Sequence, residues 1–403
     1  MTLIDNRERL LPNIAGTLLG LAIMLLIHRY AGIASDSILY MGQALAQVEP
    51  SIFAHDLFFQ YGSQSQYSLL PWLFGRLLNY VSLPTLFMWG TLSSLLLFTA
   101  SSWAALSRLL PQQQRYWAWL GIICLPGIYG VVHIFSYNEA FLTSRPLAES
   151  FCLLSIAVLT RQRWVLAGIL IFIAGLLHPL QVIAATLVIW PWLAIQNRRW
   201  LHALWLTIPI LGLAWAGIRP LNGLWQTMDP AWFASVRHSS HIFISQWGVN
   251  DFKTLALDVC LLVLGWRMLP QDFSRWCLAG LAGLVLGFSA SLIFVDGLHW
   301  VLPTSLQLWR VQWLAHWLAI AGLAALLYQH FKQGDSGRAL LLGLVAQLAW
   351  GETMLGWVAM LCLYVTWPWL IQAPRARLKP LLTWVFGIAL ILLFFNHASN
   401  EWK

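Results

Sequence analysis

Residues 164–196 read WVLAGILIFIAGLLHPLQVIAATLVIWPWLAIQ, without one charged side chain. The apolar residues run as a block and do not alternate, which points to helix and away from the strands of a barrel. Before His178-Pro179 the run 164–177 covers about 21 Å at the helical rise of 1.5 Å per residue. That falls short of a hydrocarbon core of about 30 Å. Pro179 has no N–H to donate and fixes its own φ, so the helix stops and a second one starts. The stretch therefore predicts a broken hairpin of two spans, 164–177 and 180–196. His178 and Gln181 sit at its apex, where irregular backbone is tolerated in a bilayer only when it lines a cavity or is covered by protein.

The rest of the chain has the same character. Of 403 residues, 59% are hydrophobic and 9% charged, against about 25% charged in a soluble domain; the mean hydropathy is +0.69. This excludes a soluble enzyme, a nucleic-acid-binding protein and a disordered scaffold. Nucleic acid is not an expected partner; membrane lipids are. The fold class expected is all-α, a polytopic integral membrane protein forming a single membrane domain over 1–403. Candidate spans are 13–30, 83–107, 116–135, 147–160, 164–177, 180–196, 201–218, 254–266, 277–295, 312–330, 338–350, 354–371 and 380–396, about 13 in all. The first run has no small-residue cleavage site after it and reads as a retained helix. The 26 Trp suit belts at headgroup depth. The five Cys lie in apolar stretches without paired spacing and read as packing thiols.

The net charge of +8 resolves into a topology signal. With the N-terminus cytoplasmic, one set of short turns collects Arg108 and Arg115, Arg161 and Arg163, Arg198 and Arg199, Arg267 and Arg275, Lys332 and Arg338, and Arg375, Arg377 and Lys379. Acidic residues gather on the other side, as the positive-inside rule requires. Two long connections lie on that outer side, 31–82 and 219–253, and any chemistry is expected there. A membrane protein with an extracytoplasmic active side is the setting this implies.

In the first outer loop, Asp36 precedes an apolar-periodic run ending near Glu49-Pro50, and Leu69 to Val81 forms a second. Both predict amphipathic helices on the membrane surface, separated by a polar hinge with His55, Asp56, Tyr61, Gln64 and Tyr67. Asp36 can simply cap its helix, and Asp56 can be a solvated loop acid.

The stretches SDSILYMGQAL (35–45), FAHDLFFQYGSQSQYSLL (53–70), TSRPLAESF (143–151) and LLHPLQ (176–181) resemble a group of bacterial multi-span proteins near the GT-C superfamily of membrane glycosyltransferases. The resemblance covers roughly residues 30–195. It implies a polyprenyl-phosphate-linked sugar as donor and an acidic first-loop residue as catalytic base or acceptor-positioning group. Asp36 matches that position, with Asp56 second. The superfamily's large soluble C-terminal domain has no counterpart here, which leaves a protein acceptor unsupported and a glycan or lipid acceptor expected.

Ionisable groups at span ends are the remaining candidates, since each costs about 2.5–3.5 kcal/mol at mid-bilayer and needs a partner or cavity. Arg145 and Glu149, four apart at the start of a span with Glu139 just before it, read either as an internal ion pair or as a phosphate-binding Arg oriented by Glu149. His178 is a structural donor or a phosphate contact, supported by Gln181. Arg310 snorkels to the interface or binds phosphate. Glu352 sits at the apex of a second short pair of spans, as a loop acid or a supporting group. In the second long loop, Arg237, His238 and Trp247 suit sugar binding. His238 and His241 share a helix face but lack a third metal ligand. A divalent cation, Mg or Mn, is compatible with the first-loop acids, though nothing demands it.

The function expected is transfer of a sugar from the lipid-linked donor to a periplasmic glycan or lipid. Two rivals stand beside it: a polymerase or ligase leaning on Arg237 and His238, and a transporter or flippase of lipid-linked sugar. The last predicts polar groups at mid-membrane, whereas the sequence concentrates them at outer ends. Sugar, acceptor, linkage and oligomeric state are not encoded legibly.

Overall fold

A computed structural model describes residues 16–62, 64–351, 354–371 and 378–401. The protein is all-α, 79% helical. Helix α1 (Gly16–Ile27) leads into the first long loop, which folds into α2 (Ser37–Val48), a single turn α3 (Pro50–Phe53) and α4 (Leu70–Leu77). There follow α5 (Leu83–Leu109), α6 (Gln112–Cys124), α7 (Arg145–Leu159), α8 (Trp164–Leu177) and α9 (Pro179–Gln196). The second long connection holds α10 (Thr207–Trp215) and α11 (Pro230–Val236), before α12 (Val249–Met268) and α13 (Gln271–Ala290). Short α14 (Val301–Leu306) precedes α15 (Gln312–Lys332), and α16 (Ser336–Trp350), α17 (Met354–Leu370) and α18 (Lys379–Glu401) complete the described chain.

Among the described residues, four helical stretches are long and apolar enough to cross a membrane: Leu83–Leu109, Pro179–Gln196, Gln271–Gly297 and Val301–Lys332; five shorter apolar helices accompany them. The expected total of about 13 spans is larger than this geometry by itself supports. Two expected spans differ outright. The 116–135 span stops at Cys124, because Pro126 cannot continue a helix and Gly127 packs its bare Cα against the Tyr137 ring. The chain then forms a small antiparallel hairpin of β1 (Ile128–Tyr129) and β2 (Phe135–Ser136), with Ile128 opposite Ser136. The 201–218 segment divides into a 3₁₀ run, Arg198–Leu206, and the short α10. Pro209 lies in the first turn of α10, where its missing N–H costs nothing.

The long loop 31–82 does form both expected amphipathic helices, which pack on each other through Gly75. A Cβ there would lie 2.6 Å from Gln47 Cβ. The loop docks on the end of α8: Leu69 N–H donates to Leu176 O at 2.7 Å, and Ser68 Oγ to Leu177 O at 2.7 Å.

α15 runs through the centre. Ala315, Ala319, Gly322 and Ala325 let neighbouring helices come close, as small residues do between membrane helices. On α6, a Cβ at Gly121 would lie 2.6 Å from Ala324 Cβ. The tryptophans divide between two environments. Trp72, Trp89, Trp215 and Trp369 are exposed, as a belt requires, but Trp276, Trp309, Trp313, Trp317 and Trp367 are buried in the core. A buried indole is tolerated when its N–H finds an acceptor: Trp313 donates to Gln181 O at 3.2 Å and Trp317 to Ser102 Oγ at 3.1 Å.

Because the helices alternate in direction, the bundle has two chemically unlike ends. The turns after α7 and α9 carry Arg161 and Arg198, and the last turns of α12 and α15 carry Arg267 and Lys332. The opposite end collects the starts of α7, α9 and α15 with the first long loop.

Candidate functional site

At that opposite end lies a cavity of about 210 Å³, lined by Asp36, Tyr40, Gln43, Phe135, Arg145, His178, His241, Gln307 and Arg310 among others. Several separate segments meet here, and four of them are brought in by a local feature. Asp36 stands at the start of α2, and Leu39, Tyr40 and Gln43 follow on the same helix face at the i+3, i+4, i+7 spacing. Arg145 is the first residue of α7, fixed by Pro146 at a position where a proline suits a helix. His178 is the shared cap of α8 and α9. Arg310 comes from a 3₁₀ turn, Leu308–Val311, that follows Gln307 in the left-handed region at φ 46°.

Asp36 does not cap its helix. No side-chain cap bond forms, and Ser37 Oγ instead closes the turn on Ala34. The Asp36 carboxylate reaches across to Arg145, Oδ2 to Nη1 at 2.7 Å. Arg145 also meets Glu139, Nη2 to Oε1 at 2.6 Å and Nε to Oε1 at 2.8 Å. The expected i, i+4 pairing of Arg145 with Glu149 is therefore absent. The guanidinium points outward to the loop, while Glu149 turns inward and accepts from Tyr129 Oη at 2.8 Å and Gln181 Nε2 at 2.5 Å. Glu139 is buried, accepts a further bond from Thr143, and is pushed above the ordinary carboxylate range by burial, which outweighs the pull of Arg145. Tyr129 is likewise raised, by burial first and Glu149 second, and so remains the donor of its bond.

Phe135 meets two cations. The Arg145 guanidinium lies 4.6 Å from its ring centroid and that of Arg310 4.2 Å. Each gains a cation–π contact. Trp309 stacks on the same ring at 5.8 Å, and Gly130, at φ +82°, has room for no Cβ because Trp309 would be 2.8 Å away. Arg310 Nε donates to Gln307 Oε1 at 2.6 Å, but its buried Nη1 has no hydrogen-bond partner. A buried guanidinium nitrogen left unpaired is costly, and here it is in a cavity wall. His178 Nδ1 accepts from Gln181 N–H at 3.4 Å.

The other sequence candidates lie elsewhere. Asp56 is exposed; its Oδ1 accepts from Phe58 N–H at 2.8 Å, a local turn bond. Tyr61 and Tyr67 are exposed at 85% and 60% and do not line the cavity. Gln64 is placed only through its backbone, in a 3₁₀ turn, and Glu352 lies outside the described residues. Arg237 and His238 are exposed on the second loop; Trp247 is buried beneath Trp309, ring centroids 5.6 Å apart. That loop enters the cavity through His241 instead. The cavity holds one carboxylate, already ion-paired to Arg145 with a second arginine nearby. This donor set does not fit a divalent cation, which needs several uncommitted oxygens.

Tyr40 and Gln43 escaped the sequence reading, and His241 was weighed there only as a metal ligand paired with His238. Tyr40 and Gln43 were signalled only by their helical spacing from Asp36. A further buried cluster also escaped it. In the helix interior, His316 Nδ1 meets Asp258 Oδ1 at 2.7 Å and Nε2 meets Pro126 O at 3.0 Å; Gln312 Nε2 donates to Asp258 Oδ2 at 3.2 Å. Asp258 stands mid-helix in an apolar run, the strongest warning the sequence offered. No family model, curated protein or solved structure matches this chain.

Proposed function

We propose that the protein is a membrane glycosyltransferase of GT-C type, moving a sugar from a polyprenyl-phosphate carrier to a glycan or lipid acceptor. The observation that carries this reading is the pairing, on one cavity, of an accessible carboxylate with a buried cation that lacks a partner. Asp36 Oδ1 makes no hydrogen bond to a described residue, and Arg310 Nη1 is unpaired.

The chemistry divides between the two. Asp36 takes the proton from the acceptor hydroxyl. The acceptor oxygen bonds to the anomeric carbon as that carbon's bond to the phosphate oxygen breaks. The electron pair leaves with the polyprenyl phosphate, and Arg310 stabilises the charge that develops there. Arg145 acts as a positioning residue, holding Asp36 against Glu139. His178 supplies a second polar contact to the phosphate. A volume of about 210 Å³ is under the roughly 300–1,000 Å³ of pockets for drug-sized ligands, and suits a sugar ring and phosphate with the rest of both substrates outside.

The setting follows from the charges. With the basic turns cytoplasmic, the cavity opens at the periplasmic side of a bacterial inner membrane. Arg237 and His238 stand away from the cavity, which favours transfer from a monophosphate carrier over the polymerase or ligase reading. The test uses membrane vesicles holding the full chain and a radiolabelled undecaprenyl-phosphate hexose. Release of free undecaprenyl phosphate that is lost in both Asp36→Asn and Arg310→Gln supports the proposal. Full release by both variants overturns it, as does movement of intact carrier across the bilayer without cleavage.

A further inference from the structure

A second and larger cavity, about 500 Å³, lies at the basic end of the bundle, across the length of α7 and α9 from the first. Arg108 closes α5, Leu159 and Thr160 close α7, Gln196 and Asn197 close α9, and Asp272, Arg275 and Trp276 belong to the first turns of α13. Arg161, Gln162 and Trp164 come from the turn between α7 and α8. Three arginines face one aspartate. Neither Arg108 nor Arg161 is in an ion pair with a described residue, and Arg275 Nη1 donates to Gln196 Oε1 at 3.1 Å. Snorkelling accounts for an arginine at a helix end; it does not account for a cavity lined by three of them.

A second, independent feature points to a ligand. Trp276 is 0% exposed, stacked on Trp192 at 4.6 Å, and its indole N–H in the cavity wall has no acceptor. A buried indole that packs this well ordinarily finds a partner. The lining is therefore rich in donors: guanidinium groups, an indole N–H and the Asn197 amide, whose carbonyl side is taken by Arg199 N–H at 3.0 Å. Arginine forks with few competing acids are the chemistry of phosphate recognition, and basic pockets between membrane helices commonly take anionic headgroups.

We propose that this cavity binds a phosphate ester, held by Arg108, Arg161 and Arg275 with the Trp276 N–H completing its shell. The site is independent of the glycosyl-transfer reading. The test takes the full chain in detergent and follows its thermal unfolding midpoint and its bound adducts by native mass spectrometry. The probes are dihexanoyl phosphatidylglycerol, dihexanoyl phosphatidylcholine and inorganic diphosphate. Phosphatidylglycerol should raise the midpoint and be retained as an adduct. Its half-saturating concentration should rise about tenfold for each charged hydrogen-bonding group lost in Arg108→Gln and Arg161→Gln, both at exposed positions where folding is spared. Trp276→Phe keeps the stacking and should weaken binding alone, and Arg310→Gln at the other cavity should leave it unchanged. Competition by diphosphate identifies a soluble phosphate ester as the source, and its failure to compete a membrane lipid; both support the site. Equal binding of phosphatidylcholine, or unaltered phosphatidylglycerol binding in the arginine variants, overturns it.

Discussion

Asp36 and Arg145 are 109 positions apart in the chain and meet at 2.7 Å, the carboxylate 36% exposed and the guanidinium 5%. One partner is thus reachable from solvent and the other is not. That asymmetry divides their roles: the exposed carboxylate can touch a substrate, whereas the buried cation, already shared with Glu139, orients it. It also ties the first long loop to the start of α7, beside the Tyr40 Oη to Ser144 Oγ bond at 2.9 Å.

The first expectation concerns chemistry without folding. Asp36→Asn keeps the side-chain volume and can still accept from Arg145, but it cannot take a proton. Transfer should fall by about 10²–10⁴-fold, the range for losing a general base, while the yield of monodisperse protein in detergent stays at the wild-type level. Full activity in this variant sinks the assignment of Asp36.

Arg145→Ala should behave in the opposite sense. It leaves Glu139 buried with no counter-charge, and breaking a buried ion pair by removing one partner costs about 3–5 kcal/mol. The thermal unfolding midpoint should drop, and Glu139→Gln in the same background should recover part of the loss by removing the stranded charge. A midpoint unchanged in Arg145→Ala contradicts the triad of Asp36, Arg145 and Glu139.

What the sequence made legible follows how local each signal was. The break at His178-Pro179 is written in a proline that cannot continue a helix, and it appears between α8 and α9 as expected. The two first-loop helices were legible from their apolar period. The partner of Arg145 was not, because an i, i+4 spacing to Glu149 is visible in sequence, whereas Asp36 arrives from a distant loop. The end of α6 at Cys124 was missed because hydropathy continues through 125–135 while Pro126 and Gly127 interrupt the geometry. The tryptophans misled for a related reason: composition suggests belts, but an indole enters the core wherever an acceptor such as Gln181 O awaits it.

Arg310 offers a test of the phosphate role. Arg310→Lys keeps a charge but loses the planar fork of a residue in the cavity wall. Donor KM should rise by about tenfold or more, as for one charged hydrogen bond, and Arg310→Gln should lower turnover further because no positive charge remains for the leaving phosphate. Equal kinetics for Arg, Lys and Gln at this position contradict a contact with the donor.

Asp56 is the comparison within the same loop. It is exposed and its carboxylate is engaged in a turn with Phe58 N–H. Asp56→Asn should therefore leave transfer within about twofold of wild type and shift stability by no more than about 0.5 kcal/mol, as surface substitutions do. A loss comparable to that of Asp36→Asn moves the catalytic base to Asp56 and requires the first loop to refold on substrate binding.

Asp258 and His316 decide between an enzyme and a carrier. Both are 0% exposed and every polar atom of the pair is engaged, by one another, by Gln312 and by Pro126 O. A group so enclosed is a strut, since a transported substrate needs polar groups that can exchange partners. Asp258→Leu should lower the unfolding midpoint, as expected from about 3–5 kcal/mol for a stranded buried partner, yet leave transfer per folded molecule unaltered. His316→Leu in the same chain should restore stability by replacing the pair with apolar packing. If instead Asp258→Asn abolishes activity with no change in midpoint, the mid-helix pair is functional, and alternating access becomes the better account of this protein.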